Sequence, residues 1–469
     1  MLGHLTGDRL AVTPVHRFAN TPLRVNGTLR WDVDESWRQM RHALTLTPEP
    51  LTSVGVDTWG CDYALLDARG ALVELPYHYR DHRTDGVMDR VLARLGRTRV
   101  YETTGVQFLP FNTLFQLAAA ADAQRSPLDQ ASAFATIPDL FNYRLTGRIA
   151  SEYTNATTTQ CIDARQRTWA MPLIEALGLP LHLFGPIVEP GTLLGPMRET
   201  AGGHEGVAVV APACHDTGSA VAAVASGGDT AFLSSGTWSL LGAEVPAPVI
   251  TARSAALNFT NEGGVCGTTR LLKNIGGLWL LQACRRDWAA EGVDLSYESL
   301  VAGAEAAPAF GAMIDPDHSS FMNPDHMPRA IAAYCRGTLQ RVPETPAHVA
   351  RAIFEGLALT YRMVIEWLEE VAGLSIRRVR VIGGGARNHL LNQLTADATG
   401  RAVLAGPVEA TALGNMAMQM LATGHVSSLV VARDIIEHSF PPARYEPTRT
   451  DRWDAQYERF RDIVGGARR

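Results

Sequence analysis

The sequence predicts an α/β fold in two lobes, with the cleft between them as the natural place for a ligand. Two observations carry this. Strands alternate with helices in both halves of the chain. Several short apolar runs also open into a polar or glycine-rich turn and then a helix, as buried strands of layered sheets do. With about 150 residues per domain, 469 residues allow two to four domains.

Residues 1–5 and 10–18 read as short strands about a Gly7-Asp8 turn. Residues 31–46 have helical spacing. Residues 53–67 read as strand, polar elbow, strand, closed by the turn Asp67-Ala68-Arg69-Gly70. Residues 79–84 form a dense polar loop, followed by a helix-length stretch over 86–95. The aromatic loop 108–113 leads into a helix through Ala121. Residues 155–160 carry hydroxyls and amides without charge. Such side chains suit hydrogen bonds to a neutral polyol, and equally turns and caps. Residues 185–196, punctuated by Pro186, Pro190 and Pro196, read as a connector. The valine-rich run 207–211 is a buried strand, and 230–233 and 238–244 are two more. Residues 260–264 read as a polar loop before a helix-like segment near 278–285. Residues 301–328 are loop-rich and read as peripheral. Apolar residues recur at helical spacing over 349–371. The strand 377–382 runs into Gly383-Gly384-Gly385 and a helix from about Asn388. Residues 402–405 form a strand, 409–421 a helix, and 451–464 an amphipathic helix.

The composition excludes several classes. A formal charge of −6 and the lack of a basic run give no footprint for nucleic acid. No apolar run reaches membrane-spanning length, and no signal-peptide core is present. The cysteines at 61, 161, 214, 266, 284 and 335 include no C-x-x-C pair, so neither a zinc site nor a redox motif is signalled. Scattered, reduced cysteines suit the cytoplasm.

Residues 207–244 carry the chemistry. Asp216 stands at a strand's carboxyl end just before a helix, the edge where open α/β sheets bind ligands. Ser234-Ser235-Gly236-Thr237 is a small-residue hairpin turn whose backbone N–H groups can face an anion such as phosphate. A carboxylate beside a phosphate-sized turn suggests phosphoryl transfer. The plainer alternative is a helix cap at Asp216 and an ordinary turn. The triple glycine lacks the G-x-G-x-x-G spacing, and no Walker lysine motif occurs. It allows close ligand approach or serves as a tight strand-to-helix turn. Cys214-His215 lacks the supporting signature of a thiol protease, and no carboxylate pair is singled out as a glycosidase pair.

Taken together, the ordered motifs resemble the FGGY family of carbohydrate kinases, from roughly Val15 to the end, and within it the branch acting on L-rhamnulose. They are Gly55-Val56-Asp57-Thr58-Trp59-Gly60, Gln107 through Thr113, Glu152 through Gln160, His215-Asp216-Thr217 and Ser234 through Trp238. Asn261-Glu262-Gly263-Gly264, Leu272-Lys273-Asn274-Ile275, Gly277 through Gln282, Gly383-Gly384-Gly385 and Gly406 through Ala410 complete the set. The resemblance implies a two-lobed actin/hexokinase-like (ribonuclease H-like) fold, with residues 1–222 as the sugar-binding lobe and 223–469 as the nucleotide-binding lobe. It implies phosphorylation of L-rhamnulose at the 1-hydroxyl with ATP and Mg2+. It makes Asp216 the base, places Gly60, His215, Thr217 and Asn274 at the sugar, and puts Thr237, Gln282 and Gly384 on the nucleotide side. Metal ligands are not assigned.

In one respect the chain departs from the family. The family opens with a strand ending in an Asp-x-Gly phosphate turn, whereas residues 1–5 resemble the strand after that turn. Loss of this central strand would open a slot in the core. The expectation is that the native chain begins further upstream. The alternatives are a weakly active or inactive sugar-binding relative, or a kinase of another ketose.

Overall fold

In the computed structural model, residues 1–47, 50–123, 126–198 and 204–467 are described. The Cα positions cluster into two compact units. The first holds residues 1–225, 244–271 and 410–439, and the second holds 226–243, 272–409 and 440–469.

The first unit is built on a small sheet in the order Thr192–Pro196, Ala208–Ala211, Ser53–Gly55. Ala208–Ala211 lies in the middle, antiparallel to the first strand and parallel to the third. Val209, Val210 and Ala211 are fully buried, which is why the run is apolar without alternation. Two antiparallel strand pairs accompany it: the hairpin Leu2–Thr6 with Arg9–Thr13, and Tyr63–Leu66 with Ala133–Thr136. A cavity of about 920 Å³ is lined by residues of Leu2–Thr6 and of Ser53–Gly55, and by Asp57 and Asp216.

The helix Ala410–Ala422 packs on the helix Asp216–Ala222. The contact is so close that a Cβ on Gly414 would lie 1.7 Å from the Ser219 carbonyl oxygen. Arg433, on the next helix, Leu429–Ser439, donates to the Val221 and Ala222 carbonyls and to both oxygens of Glu244. It thereby satisfies carbonyls near a helix C-terminus with a positive charge, the favourable sign for the helix dipole.

The second unit carries the larger part of a seven-stranded sheet, in the order Thr269–Gly276, Trp238–Val245, Thr230–Ser235, Arg378–Ile382, Ala402–Ala405, Ala443–Tyr445. Thr230–Ser235 is parallel to Arg378–Ile382, which is parallel to Ala402–Ala405. The long helix Pro346–Ala372 starts at a Thr345 cap, with proline at its first position, and stops at Gly373 with φ of 64°. Its Tyr361 hydroxyl meets Ser239 Oγ at 2.7 Å in the core.

Three expectations need correction. Residues 260–264 are not a surface loop: Thr260–Gly263 is a buried strand. Its polarity is tolerated because Asn261 bonds the Val249 N–H and the carbonyls of Val249 and Gly105. The 301–328 region is not peripheral, since Ala304, Met313 and Ile314 are fully buried. The 185–196 connector contributes strands at Ile187–Val188 and Thr192–Pro196, because its prolines sit where no ladder N–H is needed.

Replacing Arg433 by Ala takes a paired positive charge away from the Glu244 carboxylate and two donors from the Val221 and Ala222 carbonyls. Urea unfolding should show a loss of about 3 kcal/mol or more.

Candidate active site

The strand end at Ala211 is fixed to the elbow at Thr58 by two backbone bonds. Thr58 N donates to the Cys214 carbonyl at 3.0 Å, and Asp216 N to the Thr58 carbonyl at 2.8 Å. Residues 57–59 and 214–216 thus run side by side, so Asp57 and Asp216 face the same way. Both line the cavity of the first unit.

Glu152 holds this junction from behind. Its buried carboxylate accepts from Thr154 N, Thr154 Oγ1, Asn155 N and Cys214 N at 2.6–3.1 Å. Burial pushes its pKa up to about 7 against those donors. Asp139, which accepts from Thr136 Oγ1 and Glu152 N, is pushed by burial to about 8. Burial also raises Asp57 to about 7. The hydrogen bond from Asn415 at 2.5 Å opposes the shift and the nearby Asp216 adds to it.

Asp216 is the first residue of its helix, not its N-cap; His215 occupies the cap position. The Asp216 side chain is 45% exposed, so it can meet a ligand where its buried neighbours cannot. Its Oδ1 accepts from Thr217 N at 2.6 Å and lies 3.3 Å from His215 Nε2. His215 is buried, and its Nδ1 lies 3.2 Å from both Glu262 Oε2 and Arg270 Nη2. Burial works against the Glu262 charge, but Arg270 and His215 more than offset it and hold the carboxyl below its ordinary range. Gly60 packs on Thr158, with room for no side chain: a Cβ there would lie 2.8 Å from Thr158 Oγ1.

The structure therefore gathers Gly60, His215, Asp216 and Thr217 in the first unit. Asn274, half-buried on Thr269–Gly276, belongs to the second. The three residues expected on the nucleotide side all lie in the second unit. Thr237 Oγ1 donates to Gln282 Oε1 at 3.3 Å. The Gly236-Thr237 turn accepts backbone bonds from Leu278 and Trp279. Gly384 follows the strand Arg378–Ile382, and a Cβ built on it meets nothing within 4 Å. On Gly385 a Cβ would lie 2.0 Å from Ser235 Oγ, a buried hydroxyl with no partner. Two bare turns thus stand against each other, a shape that suits phosphate oxygens.

Glu262, Arg270, Asp57 and Glu152 are site residues to which the sequence assigned no role. The signal for Arg270 was available: a charged residue directly before the apolar pair Leu271-Leu272 is out of place in a buried strand unless it is paired.

Family models of the FGGY carbohydrate kinases match almost the whole chain, the N-terminal domain over residues 16–223 and the C-terminal domain over 231–423. The chain belongs to the FGGY family of carbohydrate kinases. It is 44% identical over 467 residues to a rhamnulokinase of Pectobacterium carotovorum, covering 98% of this chain and 92% of that one. It is 43% identical over 471 residues to a rhamnulokinase of Bacteroides thetaiotaomicron, covering 99% and 96%. Among solved structures, it matches gluconate kinase from Lactobacillus acidophilus with a TM-score of 0.78 at 15% identity, over 96% of this chain and 92% of that one. Glycerol kinase from Plasmodium falciparum matches with a TM-score of 0.76 at 14% identity, over the same shares. The two-domain α/β fold is thus that of FGGY kinases, and the chain is a carbohydrate kinase. Among the described residues no helix is long and apolar enough to cross a membrane.

The raised carboxyl groups have a consequence for stability. A folded pKa above the unfolded one means that the folded state holds the extra proton. The stabilisation is full below the unfolded value near 4 and is lost as pH rises through about 8 for Asp139. Urea unfolding between pH 5 and 8.5 should show stability falling with pH, and Asp139→Asn should flatten that fall.

Proposed function

We propose that this kinase transfers the γ-phosphate of ATP to the 1-hydroxyl of L-rhamnulose, giving L-rhamnulose 1-phosphate in L-rhamnose catabolism, with Asp216 as the base. The observation that carries the chemistry is the half-exposed Asp216 carboxylate at the cavity, flanked by buried His215 and Thr217. The identity to rhamnulokinases over nearly the full chain supports the choice of sugar.

Phosphoryl transfer asks for positioning and charge stabilisation more than covalent help. The sugar's 1-hydroxyl needs a proton acceptor as its oxygen bonds to phosphorus, and a carboxylate within hydrogen-bond reach provides it. Oδ1 is already engaged by Thr217, so Oδ2 is the oxygen that takes the proton. His215, Thr217, Asn274 and the bare backbone at Gly60 orient the sugar. Thr237, Gln282 and Gly384 hold the nucleotide, with its phosphates against the turns at 234–237 and 383–385.

Magnesium takes one or two carboxylates and fills the rest of its shell with phosphate oxygens and water. Asp57, on the same cavity as Asp216, is a carboxylate of that kind and would hold it. When bound, magnesium neutralises charge on the phosphates.

Asp216→Asn should leave sugar binding by calorimetry near normal and cut turnover by about 100-fold or more in a coupled ADP-release assay. Near-normal turnover would reject the base assignment. A panel of ketoses in the same assay tests the sugar, and a preference for another ketose over L-rhamnulose would overturn that part. Gly385→Ala drives a methyl group toward Ser235 and should weaken ATP binding about tenfold while leaving the sugar KM unchanged.

A further inference from the structure

Arg270 is the largest fully buried side chain of the described residues. Its Nε donates to the Gly263 carbonyl at 2.9 Å, and its Nη2 reaches Glu262 Oε2 at 3.1 Å and His215 Nδ1 at 3.2 Å. Its Nη1 is buried without a partner. As a stabilising device this is poor, because a buried ion pair is often replaced by apolar residues at no loss. An explanation is therefore wanted in what the guanidinium does to its neighbours.

His215 Nδ1 has two charged groups at equal distance. Arg270 Nη2 is aligned for a hydrogen bond. Glu262 Oε2 lies at the same distance but meets no donor in hydrogen-bonding alignment, so it is the weaker partner of Nδ1. An arginine can only donate, so Nδ1 accepts and the ring proton sits on Nε2. Nε2 is the nitrogen 3.3 Å from Asp216 Oδ1. The same oxygen accepts from Thr217 N at 2.6 Å, with Thr217 Oγ1 at 3.3 Å. Donors therefore crowd Oδ1.

We propose that Arg270 is a positioning residue for phosphoryl transfer: by fixing the tautomer and orientation of His215, it keeps Nε2–H on Asp216 Oδ1 and leaves Oδ2 to the sugar hydroxyl. Glu262 supports it by holding the guanidinium in place. Neither residue touches the reacting atoms; both act through the imidazole. Without Arg270 the ring is free to carry its proton on Nδ1, toward Glu262. It then turns a lone pair on Asp216, and the carboxylate loses its fixed direction. The inference rests on Asp216 being the base.

The test is a double-variant cycle read by coupled ADP release with L-rhamnulose. Arg270→Gln should lower kcat about 10- to 100-fold, as losing a group that orients a functional histidine typically does, while the KM for ATP stays unchanged. Arg270→Lys, which still donates, should recover part of the loss. Combined with His215→Gln, Arg270→Gln should cost nothing further, because its effect passes through the ring. If Arg270→Gln does not fold, Glu262→Leu/Arg270→Met, which removes both charges together, takes its place in the cycle. Losses that multiply in the double variant, or wild-type kcat in a folded Arg270 variant, overturn the proposal. Asp216→Asn tests the base assignment separately. If that variant is inactive while the cycle is additive, only the Arg270 proposal falls; if it keeps near-normal turnover, the base assignment itself falls.

Discussion

A single buried carboxylate, that of Glu152, holds the catalytic corner together. Its four hydrogen bonds join the helix Tyr153–Thr158 to the backbone at Cys214. Each is a polar group that would cost roughly 1–3 kcal/mol if left buried and unmade. Through Cys214 the carboxylate fixes where the strand Ala208–Ala211 ends, and hence where His215 and Asp216 begin. Thr58 bonds Cys214 and Asp216 from the other side. The Asp216 side chain thus stands on backbone held from two sides, the kind of support that precise placement of a side chain requires.

The same economy governs the neighbouring hairpin. Thr260–Gly263 buries an asparagine and a glutamate, and Arg270 follows on the next strand. Asn261 is fully engaged, and the arginine and the glutamate meet each other, though Arg270 Nη1 is left without a partner. Asn261 completes a turn of main chain around Val249 and Gly105, and Gly263 N bonds Thr157 Oγ1 at 2.8 Å. The hydroxyl-rich run at 155–160 is spent in the same way: Thr157 and Thr158 bond carbonyls three residues back in their own helix. Side chains that looked suited to a polyol serve first as internal scaffolding.

Ordinary packing supports this corner. Gly414 lets the helix Ala410–Ala422 press on the helix that begins at Asp216, and Asn415 on that same helix holds Asp57. Asn415, 358 residues from Asp57 in sequence, thus lowers the proton affinity of that carboxylate against the effect of burial.

Much of this was legible in the sequence. The valine run at 207–211, the hairpin turn at 234–237, the strand before the triple glycine and the long helix before it follow from local periodicity, because burial of one face imposes its period on the chain. Asp216 was legible as a candidate because it stands at a strand's carboxyl end before a helix, the edge where open α/β sheets bind ligands. The charge network Arg270–Glu262–His215 was not, nor was the buried strand at 260–263. Both read as polar and therefore exposed when taken alone. Which polar residues go inside is decided by partners distant in the chain: Asn261 by Gly105, Arg270 by His215, Asp57 by Asn415. Local sequence determined the elements and put Asp216 at a strand's end; only the tertiary structure decided which charges are buried beside it, because a buried charge is stable only where the fold brings it a partner.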